Sequence, residues 1–109
     1  MAITPTVWLA ARQPVPPAAL VARLNDALGA RAHEPTADLG EVLLCAGEAL
    51  LSRLLSEGRT DRQTALDLLA ADAFVTYAFE AASDEPARIT ERAQRAMAQI
   101  SHLAVASDL

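Results

Sequence analysis

Apolar residues along this chain recur with helical spacing from residue 20 onward, and the spacing divides into four segments. Leu20, Leu24, Ala27, Leu28 and Arg31 fall at i, i+4, i+7, i+8 and i+11. One stripe at that spacing predicts a helix over about 17–32 with one inward side. Pro16 and Pro17 suit its start, where a missing N–H costs nothing, and Pro35 stops it. A second helix is predicted over about 37–57, with Thr36 as N-cap and Asp38 at the positive end of the dipole. On a wheel of about 100° per residue, Leu39, Val42, Leu43, Leu44, Ala46, Leu50, Leu51, Leu54 and Leu55 cover well over half the circumference. The polar side holds Asp38, Glu41, Cys45, Glu48, Ser52 and Ser56. Gly40 and Gly47 lie one heptad apart inside the apolar arc. Each costs about 1 kcal/mol of helix propensity relative to Ala, which predicts close approach of a neighbouring helix. Gly58 suits the C′ position.

A third helix is predicted over about 61–83. Thr60 and Gln63 have capping-box spacing. The body is apolar nearly all round, which predicts burial on most sides, and one polar line crosses it: Asp72, Thr76 and Glu80 at i, i+4 and i+8. A fourth helix is predicted over about 86–104. Ile89, Ala93, Ala96, Met97, Ile100, Leu103 and Ala104 form its inward stripe, and Arg88, Arg92, Arg95 and His102 its flank. Residues 1–15 read as an extended arm, since Pro5 and Pro14 disfavour helix before them. Trp8 either plugs a groove of the bundle or rides on an arm exchanged with a second subunit. The expected fold is all-α: a single-domain four-helix bundle with an extended N-terminal arm, its short loops implying antiparallel neighbours.

Composition strengthens this picture. Hydrophobic residues make up 52% of the chain but aromatic ones only 4%. The bulk is Ala and Leu, the strongest helix formers. All nine basic residues are Arg. Residues 1–33 carry three Arg and one acid, a net +2; residues 34–85 carry eleven acids and three Arg, a net −8; residues 86–109 carry three Arg and two acids, a net +1. An acidic middle between weakly basic ends argues against nucleic acid, which needs a concentrated basic surface. The longest apolar stretch, residues 42–55, is interrupted by Glu48 and Arg53 and is too short to span a bilayer. A single Cys45 rules out an internal disulfide. With no secretory leader pattern at residues 1–20, a cytoplasmic location is expected.

Candidate chemistry is sparse. The Glu-x-x-His pairs of di-iron bundles are absent, because Ala30 and Gln99 stand three residues before His33 and His102. No metal site and no cofactor are expected. Cys45 lacks a nearby base that would make it a nucleophile, and no Gly-x-Ser-x-Gly turn or phosphate loop occurs. No catalytic residue is predicted, and the chain is not expected to be an enzyme. Residues 68–80 are similar to a helix of the all-helical trans-prenyl diphosphate synthases. The Asp-Asp-x-x-Asp motifs of that family are absent and the chain is far too short for its fold, so the resemblance carries over no residue.

The candidate interaction or ligand residues are Arg53, Leu69, Asp72, Thr76, Tyr77 and Glu80. Arg53 falls within the apolar arc of the second helix, where a charge must snorkel or find a partner; an Arg53–Asp72 pair is one expectation. Two helices apolar round most of their surface are hard to cover inside one four-helix chain. The expected function is therefore a protein–protein interaction module that self-associates, most simply as a dimer, or that binds another protein. The basic flank of the fourth helix could dock on the acidic middle of a second copy. The alternative is a small apolar ligand held between the second and third helices, its polar head met by Tyr77, Thr76 and Asp72.

Overall fold

The computed structural model describes residues 2–83, 93–95, 97–98 and 100–101. The described residues are mostly helical and form no strand. Four α-helices have defined bounds: α1 (Pro5–Ala10), α2 (Ala18–Leu28), α3 (Leu39–Glu57) and α4 (Arg62–Ser83). The expected first, second and third helices correspond to α2, α3 and α4.

Residues 1–15 are not an extended arm. Thr4 accepts a hydrogen bond from the Val7 amide at 3.3 Å, and Pro5 occupies the first helical turn. The same Pro5 that disfavours helix before it is pre-set for helix after it, and α1 results. Its residues Pro5, Trp8 and Leu9 are buried. Trp8 thus plugs the fold within its own chain. Just before α1, Ile3 and Thr36 exchange two backbone hydrogen bonds of 3.1 and 3.0 Å, tying the N-terminus to the α2–α3 connection.

α2 buries Leu20, Leu24 and Leu28, as its stripe predicts, whereas Arg31 is exposed. Its expected last turn tightens into a 3-10 turn, Gly29–His33. Thr36 is not the N-cap of α3. Its hydroxyl accepts from the Asp38 amide at 3.0 Å, a two-residue side-chain turn that places Asp38 at the cap position. Gly58 ends α3 in the left-handed region, φ 63°, with its N–H on the Leu54 carbonyl at 3.2 Å.

The start of α4 also departs from the capping box. Asp61, one residue beyond Thr60, takes the Thr64 amide and the Thr64 hydroxyl, both at 2.8 Å. These bonds, joined by Arg59, hold the Asp61 carboxyl down to about 2. A charged acceptor at a helix N-terminus also meets the positive end of the dipole. Gln63 is released from the cap and donates forward to Asp67 at 3.2 Å.

α3 and α4 form an antiparallel hairpin. A Cβ at Gly40 would meet the Ala78 carbonyl oxygen at 3.2 Å, and one at Gly47 would meet Phe74 Cβ at 3.0 Å and the Ala71 carbonyl oxygen at 3.3 Å. The residue order runs up one helix and down the other. The close approach predicted from the two glycines is present. The core lies on one side of this hairpin: Leu39, Leu43, Leu50 and Leu54 of α3 and Ala70, Ala71, Phe74, Ala78 and Ala81 of α4, covered by α2 and by Trp8 and Leu9. Gly47→Ala is expected to lower the unfolding midpoint. It regains about 1 kcal/mol of helix propensity, but overpacking costs about 1–3 kcal/mol. The opposing atom is a Cβ fixed to its own backbone, so it cannot swing aside. A raised midpoint in urea denaturation would mean the helices part freely there.

α4 is not buried on most sides. Leu68, Leu69 and Phe79 are exposed. Residues 93–95, 97–98 and 100–101 of the expected fourth helix are helical. Three residues of its expected inward stripe, Ala93, Met97 and Ile100, are exposed. The remainder of that helix lies outside the described residues.

Candidate functional site

The line Asp72–Thr76–Glu80 and Leu69 run along one exposed side of α4. Tyr77 sits beside the line but turns inward. Its ring meets Trp8 edge-to-face, with centroids 5.9 Å apart and planes at 81°. Burial, reinforced by the Glu80 charge, pushes the Tyr77 hydroxyl above its usual range. Arg12, just past α1, joins the two. Its guanidinium lies 3.5 Å over the Trp8 ring, its Nε donates to the Trp8 carbonyl at 3.1 Å, and its Nη1 is 3.8 Å from Glu80 Oε2. Arg12, Thr76, Phe79, Glu80 and Ser83 line an open groove of about 420 Å³.

Arg53 is not part of this arrangement. It is exposed on α3 and faces Glu57 at 3.9 Å, with no ion pair to Asp72 among the described residues. Among the described residues the buried acid is instead Asp67, which spacing alone did not single out. Asp67 Oδ1 receives Arg23 Nε of α2 and the Gln63 amide, and Arg23 Nη1 reaches Asp26 at 3.0 Å. The Arg23 guanidinium holds the Asp67 carboxyl below the usual carboxylate range, against the opposing effect of burial. The same bond pushes Arg23 upward. A readable signal existed. Asp67 precedes Ala70, Ala71, Phe74, Ala78 and Ala81 at core spacing, so its polarity there demands a partner.

At Gly40 and at Gly47 the backbones of α3 and α4 are in close contact. Cys45 is exposed. Loss of hydration, and a hydrogen bond from its Sγ to Glu41 Oε1 at 3.6 Å, raise its thiol pKa. That keeps it protonated and poorly nucleophilic. No cluster of three metal-ligating side chains occurs among the described residues. None of their helices is long and apolar enough to cross a membrane.

Among the described residues, an uncovered apolar feature lies on the back of the hairpin, away from α2. At about 100° per residue, Leu44, Leu51 and Leu55 fall on one flank of α3, and Leu68, Val75 and Phe79 on the facing flank of α4. Leu44 and Val75 are half-buried and form the floor. Leu51 and Leu68 are exposed, and Leu55 and Phe79 are 75% and 70% exposed. Glu41, Glu48 and Asp72, all exposed, follow on the outer edges of the same two flanks. The result is an apolar strip with an acidic border. Comparison with family models, curated proteins and solved structures finds no match for this chain.

Proposed function

We propose that this chain is a non-catalytic helical interaction module that self-associates through the back of the α3–α4 hairpin. The observation that carries the proposal is the apolar strip of Leu51, Leu55, Leu68 and Phe79, left uncovered on the side of the hairpin opposite its buried core. Contiguous apolar surface of this kind marks interaction sites in soluble proteins. α3, with 19 residues, is about 28 Å long at 1.5 Å per residue. A face of that length and two helices wide approaches the scale of roughly 800 Å² per partner that specific interfaces bury. The titratable groups favour a structural role: the buried Asp67 is already neutralised by Arg23, and the Cys45 thiol is held protonated.

Light scattering across a dilution series is expected to give a dimer mass that falls on dilution. The exposed-site variant Leu51→Glu/Phe79→Glu is expected to remain helical and run as a monomer. A wild-type chain that is monomeric throughout would overturn the proposal.

A second reading, binding of a small apolar ligand, has the groove beside Thr76, Phe79 and Glu80 in its favour. A thermal-shift screen against lipids, isoprenoids and aromatics tests it, and no shift with any class would remove it.

A further inference from the structure

Two surfaces of one copy are open at once and match each other. The first is the strip on α3 and α4, whose bordering charges Glu41, Glu48 and Asp72 are all acidic. The second is the C-terminal helix, where Ala93, Met97 and Ile100 are exposed at spacings of four and three. Of these three, Met97 and Ile100 carry large side chains, and Arg95 is exposed next to them. The sequence from 86 to 101 holds three Arg and one Glu, a net +2, against the net −8 of residues 34–85. An amphipathic helix with one apolar stripe and a basic flank is the chemistry that an acidic-bordered apolar groove between two helices accepts.

Resting on the self-association proposed above, we infer that the occupant of the α3–α4 strip is the C-terminal helix of a second copy. Met97 and Ile100 seat on the strip at Leu51 and Leu68, and Arg95 faces the acids along its edge. Each copy gives a helix and receives one. Such an exchange about a two-fold axis closes on itself and leaves neither surface open. The charges set the orientation of the helix and make association sensitive to salt, while the apolar side chains supply most of the affinity.

The test is complementation, read by light scattering on the full chain. Helix variant Met97→Glu/Ile100→Glu and face variant Leu51→Glu/Leu68→Glu each change exposed positions, and circular dichroism checks that each stays helical. Each alone is expected to associate roughly ten-thousandfold more weakly than wild type, because two well-buried apolar side chains are lost at each of the two seats, about a hundredfold per seat. Mixed in equal amounts they are expected to form more dimer than either alone, because one of the two seats then pairs an intact helix with an intact face. A helix variant that dimerises like wild type, beside a monomeric face variant, overturns this inference but leaves face-to-face self-association standing. A mixture that forms no more dimer than either variant alone also overturns it. A wild-type chain that is monomeric at all concentrations overturns both. Should the face variant lose helicity, the helix variant decides alone: unchanged dimerisation overturns the inference, and a loss of roughly ten-thousandfold, about a hundredfold per seat, supports it.

Discussion

Asp67→Ala is expected to destabilise the fold by about 3 kcal/mol, the lower end of the range for breaking a buried ion pair. Asp67 is 7% exposed, and its partner Arg23 is nearly as well covered. Removing the carboxylate leaves a guanidinium facing the core. Arg23 retains only Asp26, whose side chain stands in solvent, which keeps the cost from reaching the top of the range. The double variant Arg23→Met/Asp67→Leu is expected to recover most of the loss, since apolar replacement of a whole buried pair is often neutral or stabilising. Urea denaturation of the four proteins in the cycle measures the coupling. Additive losses would show that the pair does not act as a unit.

The same contact sets a pH dependence. The folded carboxyl of Asp67 lies below its unfolded value, which is about 3.9. The unfolded chain therefore takes up the proton first as pH falls. The contribution of the pair is fully present above about pH 4 and is lost as the pH drops through the folded value. Asp61, held near 2, titrates in the same direction. Wild-type stability is thus expected to fall below about pH 4, and Asp67→Asn to fall less steeply. Equal slopes would remove Asp67 as the source.

Phe74→Ala is expected to cost about 3–5 kcal/mol. Phe74 is fully buried and heads the largest fully covered side chains. Its Cβ lies against Gly47 across the seam. Truncation keeps that Cβ, so the close approach persists and the space vacated by the ring has little freedom to collapse. A loss under about 1 kcal/mol in urea denaturation would show that the core closes over the cavity. Phe79→Ala, five residues on, removes the same ring from a site 70% exposed. Its effect on the isolated chain is expected to stay within about 0.5 kcal/mol.

The contrast between these two phenylalanines marks the limit of sequence reasoning for α4. Both sit among Ala and Leu on a helix apolar nearly all round, so periodicity could not assign one to the core and the other to solvent. On α2 the apolar stripe is narrow, and the buried Leu20, Leu24 and Leu28 could be read directly. The candidate residues divide in the same way. Thr76 and Glu80 share a groove with Arg12, and Tyr77 reaches Trp8 just behind it. Leu69 and Asp72 continue the exposed line without entering the groove, and Arg53 turns to Glu57 on its own helix. Spacing could place Trp8 in a groove but could not pair it with Tyr77, or Arg12 with Glu80, because the partners lie nearly seventy residues apart.

By itself, the sequence determined the all-helical class, the course of α2, α3 and α4 to within a few residues, the Gly58 stop and the close seam at Gly40 and Gly47. Those follow from local rules: helical spacing, proline and glycine conformation, and the steric meaning of a missing Cβ. Only the tertiary structure decided that Asp61 and not Thr60 caps α4, that Thr4 and Pro5 begin a helix, that Arg23 and not Arg53 meets the inner acid, and which flank of the hairpin stays uncovered. The two helix starts rest on bonds three residues long, where competing local motifs gave spacing no way to choose; the ion pair and the uncovered flank depend on which groups are brought together from distant parts of the chain. Burial raises the energetic stake of a polar contact, and no spacing along one helix records which neighbour will supply it.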